Sequence, residues 1–116
     1  MNTQTVILHA GDTFSGPFWD ADNCEIGRFD SFSIGGTEYK ITFSGFREWY
    51  GQADRFDPYS DVKVFSTDGF DDWVNQGYTF AVMLRKMLPK KVDVFYAFWK
   101  DFGDGNWQYC KAYISI

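Results

Sequence analysis

Two pairs of segments in this chain alternate apolar and polar residues with period two, and one stretch repeats apolar residues at helical spacing. In the first pair, Phe32 and Ile34 alternate with Ser31 and Ser33. After Gly35-Gly36, Tyr39, Ile41 and Phe43 alternate with Glu38, Lys40, Thr42 and Ser44. Period-two patterning on both sides of a two-residue turn predicts a β-hairpin with one buried and one wet face. Glycine suits that turn because the turn requires positive φ. The second pair lies at the end of the sequence. Val92, Val94, Tyr96 and Phe98 share one face, with Phe95 and Trp99 on the other. Beyond the turn at 101–106, Cys110, Ala112, Ile114 and Ile116 share a face, with Trp107, Tyr109 and Tyr113 opposite. This hairpin is aromatic on both sides. One side is expected to meet a helix, and the other to be covered by segment 12–27 or 45–60 or left partly exposed.

The helical stretch is Trp73, Gly77, Ala81, Leu84 and Leu88, with Val74, Tyr78 and Met87 beside them. These positions form one face of a helix. Thr67 or Asp68 is the expected N-cap, and Asp71 and Asp72 suit the positive end of the helix dipole. Arg85 and Lys86 fall in the last turn, and Pro89 ends the helix. Gly77 is unfavourable inside a helix by about 1 kcal/mol, which points to a close approach to the sheet. Thr5–His9 reads as a first strand and Val62–Phe65 as a short one. Segment 12–27 reads as a loop with a possible strand near Glu25, and 45–60 as a long loop without sustained period. Assembled, this is α+β: a mostly antiparallel sheet of five to six strands, in the order β-ββ-β-α-ββ, with one α-helix packed on one face.

The 116 residues, 45% of them hydrophobic, fit a single globular domain spanning 1–116. Thirteen Phe, seven Tyr and five Trp are more aromatic surface than a core of this size hides completely. No apolar run approaches the ~20 residues that cross a bilayer. The first residues lack the basic and apolar regions of a signal peptide, so a cytoplasmic location is expected. Cys24 and Cys110 do not make a disulfide scaffold, and buried free thiols are the expected state. Net charge is −5 and unevenly spread: residues 1–72 hold thirteen acids against five bases, and 73–116 hold three acids against six bases. That balance disfavours direct nucleic-acid binding and favours a protein partner with a basic surface.

The sequence offers little for catalysis. His9 is the only histidine, which removes His-His metal sites, and Cys24, Cys110 and His9 lack the paired spacing of a zinc site. Asp101, Asp104 and Asn106 are oxygen-rich but lack the spacing of an EF-hand and read as a turn. The acids otherwise lie mostly in turns and at the helix start. A protein that is not an enzyme, needing neither metal nor cofactor, is the expectation.

The richest feature is the union of acids and aromatics in 45–72. Trp49, Tyr50, Asp54, Phe56, Asp57, Tyr59 and Asp61 are therefore the candidate partner-binding residues. Trp99, Trp107 and Tyr113 form a second candidate face. The combination is of the general type found in bacterial immunity proteins and phage-encoded inhibitors, which is an analogy of character rather than of motif. The expected function is that of a small inhibitor or immunity-type protein blocking a basic surface of a partner such as a nuclease. The alternatives are an aromatic pocket for a sugar or nucleotide, and a phage or plasmid structural component with an aromatic oligomer interface.

Overall fold

A computed structural model describes residues 4–10, 16–56, 69–103 and 105–115. Seven strands form one mixed sheet: β1 (Gln4–His9), β2 (Pro17–Trp19), β3 (Glu25–Arg28), β4 (Ser31–Ile34), β5 (Thr37–Lys40), β6 (Val92–Asp101) and β7 (Trp107–Tyr113). Their spatial order is β5-β4-β3-β2-β1-β6-β7. All neighbours are antiparallel except β1 and β6, which run parallel, with Val6 beside Val94 and Leu8 beside Tyr96. The fold is α+β, as the patterning predicts.

Both hairpins lie where alternation places them. Ser31–Ile34 pairs with Thr37–Lys40 around Gly35 and Gly36, which take φ of 59° and 81°. The strand ends at Lys40; Ile41 is nevertheless buried, and Phe43 is half-buried just beyond it. Segment 12–27, expected to be loop with a possible strand near Glu25, contributes β2, which was not expected, and the start of β3, which begins at Glu25. They pair with a bulge between Phe18 and Trp19, and such irregularity erases a period-two signal.

Segment 45–60 departs further from expectation. It contains α1 (Phe46–Gly51) and a 3₁₀ turn, Ala53–Phe56. Phe46, Trp49, Tyr50, Ala53 and Phe56 are all buried. Their spacing of three, one, three and three is helical, so a short amphipathic turn forms and its aromatics enter the core. The anticipated strand Val62–Phe65 and the N-cap candidates Thr67 and Asp68 lie outside the described residues.

Helix α2 (Phe70–Met87) begins after Gly69, whose φ of 82° turns the chain into it. Trp73, Gly77, Phe80, Ala81, Leu84 and Leu88 are buried against the sheet. Gly77 is required: a Cβ there would overlap the Tyr96 hydroxyl and the Trp49 ring. Arg85 is buried, not solvated as its place in the last turn suggests. Its guanidinium donates to the carbonyls of Val92 and Pro89, tying the end of the helix to the start of β6. Cations are favoured at that end by the helix dipole, and the free carbonyls there require donors.

Helices α1 and α2 pack on the same side of the sheet. Phe46 stacks on Phe18 of β2 at 5.9 Å, and Trp49 meets Tyr96 of β6 at 6.5 Å. The two helices are latched by a reciprocal pair. Trp49 Nε1 donates to Trp73 O at 2.8 Å, and Trp73 Nε1 donates to Trp49 O at 2.9 Å. The two indoles stack at 5.3 Å. Each buried indole N–H is satisfied by the other residue's backbone. No helix among the described residues is long and apolar enough to cross a membrane.

Candidate interaction surface

The acidic-aromatic segment divides into buried and undescribed parts. Trp49, Tyr50 and Phe56 were expected at a partner surface, but they are core residues; Trp49 is only 1% exposed. The reason is the amphipathic turn they share, which points all three at α2 and the sheet. Tyr50 donates its hydroxyl hydrogen to Gly16 O at 3.2 Å, and Phe56 packs on Trp73 at 4.9 Å. Asp54 sits in the 3₁₀ turn. Asp57, Tyr59 and Asp61 lie outside the described residues. Exposed acids do flank this region, at Glu48 and at Asp71 and Asp72 in the first turn of α2.

The second candidate face groups several aromatic residues that reach solvent, whereas Phe29 and Tyr78 are exposed singly elsewhere. On β6 and β7 the register pairs Phe95 with Tyr113, Ala97 with Lys111, Trp99 with Tyr109, and Asp101 with Trp107. Directly paired residues lie on the same side of a sheet. This side is opposite the helices, because Val94, Tyr96 and Phe98 alternate with it and join the core. Neighbouring β1 adds His9 beside Ala97, and Ile7 between Trp19 and Phe95.

The rings form two groups on either side of the Ala97–Lys111 pair. Tyr109 meets Trp99 edge-on at 5.6 Å and His9 at 5.3 Å, and Phe95 meets Tyr113 at 5.4 Å. Lys111 Nζ lies 4.8 Å over the Phe95 ring. Edge-on arrangements bring the positive rim of one ring to the negative face of another, and the ammonium uses the same negative face. Tyr113 is 55% and Tyr109 42% exposed, and Phe102 at the adjoining turn is 54% exposed. Trp99 and Trp107 are half-buried. Tyr109 was not among the sequence-derived candidates, yet it joins Trp99 to His9; the alternation that marked Trp107 and Tyr113 includes it.

Titratable groups on this face are held rather than poised. His9 Nδ1 donates to Ala97 O at 3.1 Å, so the lone histidine is fixed to the backbone of β6. Its own carbonyl accepts from Trp19 Nε1 at 3.0 Å. Burial pushes the Tyr109 phenol above its ordinary value, which keeps it neutral and able to donate a hydrogen bond. Tyr113 reaches Asp93 Oδ1 at 3.5 Å, the limit of a hydrogen bond.

Two depressions are lined by described residues alone. A depression of about 310 Å³ is lined by Asp30, Phe43, Arg47 and Glu48, and one of about 200 Å³ by Phe29, Arg47 and Tyr50. Arg47 donates to Asp30 across the first, at 2.7 Å. The paired guanidinium holds the Asp30 carboxyl below the usual carboxylate range. Among the described residues no cluster of His, Cys, Asp and Glu is arranged to hold a metal ion. Both thiols are free; Cys24 is exposed, contrary to the buried state expected, and Cys110 is half-buried. Compared with known proteins, the chain matches no protein family, no curated protein and no solved structure.

Proposed function

We propose that this chain is a protein-binding domain of the inhibitor or immunity type, acting in the cytoplasm, whose contact surface is the open face of β6 and β7. The observation that carries the reading is the row of aromatic pairs on the side of the sheet away from the helices, Phe95 with Tyr113 and Trp99 with Tyr109, in which both tyrosines are exposed. Rigid aromatics give large contact area for little lost side-chain freedom, and tyrosine and tryptophan dominate binding hot spots. The negative charge of the whole chain, −5, favours a partner with a basic surface, such as a nuclease, by speeding encounter. Among the described residues, small-molecule binding is less well supported. Ligand pockets span roughly 300–1,000 Å³ and enclose their ligand, whereas the depressions beside Arg47 are open and lie at or below that range.

The test starts from the immobilised protein and host extract. A captured partner is purified and its association measured by surface plasmon resonance against wild type, Tyr109→Ala and Tyr113→Ala. Dissociation should accelerate about 30-fold for whichever tyrosine is a hot spot, equivalent to ~2 kcal/mol. Added protein should also suppress the partner's activity. Unchanged dissociation in both folded variants overturns the assignment of this face. A partner whose activity is unaffected overturns the inhibitory role.

A further inference from the structure

The two edges of the sheet are built differently. Strand β5 is four residues long and carries Glu38 and Lys40. A short, charged edge discourages pairing with another chain. Strand β7 is seven residues, Trp107–Tyr113, with no proline and Lys111 as its one charge. Among the described residues it has a neighbour on one side only.

The hydrogen-bond phase of β7 can be read from two bonds at its ends. Ile114 N donates to Val94 O at 2.8 Å, and Phe102 N donates to Asn106 O at 3.0 Å. Both join residues directly opposite in the β6–β7 register, so the even-numbered residues of β7 bond to β6. The odd-numbered residues, Trp107, Tyr109, Lys111 and Tyr113, therefore direct their backbone groups to the free edge. Trp107 N–H is taken by Gly105 O at 3.0 Å; the carbonyl of Trp107 and both groups of the other three remain directed outward.

We propose that this edge pairs antiparallel with the β7 edge of a second copy of the chain, about a two-fold axis at Cys110. Cys110 is the middle residue of β7, so this register overlaps the whole strand. It is the two-fold register that uses every outward-facing residue. Tyr109 and Lys111 of one copy exchange backbone bonds with Lys111 and Tyr109 of the other, and Tyr113 N–H donates to Trp107 O. The side chains agree with the backbone. Each Lys111 ammonium faces a tyrosine ring across the junction, and each Trp107 faces a Tyr113; both are favourable cross-strand pairs. Moving the axis to residue 111 would set the two lysines directly opposite, which is unfavourable. A second copy thus satisfies the charge of Lys111 and the spacing of the aromatics together. The two open faces become one continuous aromatic surface across the junction. This inference does not rest on the partner-binding reading, since it concerns the purified chain alone.

In this register the two Cys110 residues form a non-hydrogen-bonded pair, with Cα atoms ~4.5 Å apart, within the range a disulfide spans. That makes Cys110 a reporter. Sedimentation equilibrium of the full chain over ~1–100 µM should show a monomer–dimer equilibrium. Lys111→Pro removes an outward N–H without touching the bonds to β6, a substitution edge strands tolerate. Tyr109→Lys places two ammonium groups opposite each other. Both variants should keep the wild-type circular dichroism and weaken the dimer at least tenfold. Copper-phenanthroline oxidation of Cys24→Ser should yield a disulfide-linked dimer on non-reducing gels, and Cys24→Ser with Lys111→Pro should yield little. A wild type that stays monomeric throughout, or variants that dimerise as tightly as wild type, overturns the proposal. A dimer that Cys110 does not cross-link overturns the two-fold at that residue.

Discussion

Adjacent residues of β6 belong to two aromatic clusters with opposite fates. Tyr96 and Phe98 face α2 and join a cluster in which polar tips are satisfied by backbone: Trp49 and Trp73 exchange indole bonds, and the Tyr96 hydroxyl donates to Val74 O at 3.0 Å. Phe95 and Trp99 face away; Phe95 meets Tyr113 and Trp99 meets Tyr109, each edge-on, and Lys111 lies over the Phe95 ring. Both clusters are built from aromatic rings, the one under the helices being the larger. What separates them is whether a helix lies above. Under the helices aromatic area supplies stability; on the open side the same chemistry is left available for contacts with other molecules. Aromatic content alone therefore says nothing about which side is functional.

The contrast has measurable consequences, the largest on the helix side. Trp49→Ala should lower unfolding free energy by about 3–5 kcal/mol in urea melts, because it empties a large core volume and takes from the Trp73 carbonyl its indole donor, while the bond from Trp73 Nε1 to the residue-49 carbonyl can persist. A loss under ~1 kcal/mol would mean that α1 does not hold the core together. Gly77→Ala comes next. Helix propensity alone would stabilise by about 1 kcal/mol, but overlap with Tyr96 and Trp49 should reverse the sign and destabilise by about 1–3 kcal/mol. A gain in stability would show that α2 sits further from β6.

The third test uses pH. Burial pushes the Tyr96 phenol well above its ordinary value of 10.0. An acid whose folded pKa is raised holds its proton longer when folded, so its contribution is complete below the unfolded value and shrinks as pH rises past it. The urea midpoint should fall between about pH 9.5 and 11.5. Tyr96→Phe should remove most of that decline, at the loss of about 1 kcal/mol for the bond to Val74. An equal decline in the variant would assign it to other groups. Smallest of all is Tyr113→Ala on the open face, expected to change stability by under ~1 kcal/mol. A larger loss in the same urea melts would mean that this ring supports the fold and is not a free contact surface.

Much of this fold was legible along the chain. The Gly35-Gly36 hairpin, the aromatic hairpin and the α2 stripe all follow from periodicity, since a half-buried strand or helix must repeat its apolar residues at its own geometric period. The two-sided aromatic character of 92–113 was legible for the same reason, and so were the residues of the open face. Short elements escaped. Strand β2 is too brief and too bulged to show a period, β3 showed only as a possible strand near Glu25, and α1 gives barely two turns of signal among charged neighbours.

What tertiary structure decided is non-local. The parallel pairing of β1 with β6 joins residues some ninety positions apart, and no local pattern encodes which strand lies beside which. That pairing puts His9 against the backbone of β6 and fixes which cluster the helices cover. The packing of α1 and the 3₁₀ turn on α2 is equally non-local, and it buries Trp49, Tyr50 and Phe56, which on composition alone belonged at the acidic surface. Residue type sets how much an aromatic ring gains by leaving water; only the packed chain determines which rings do leave it.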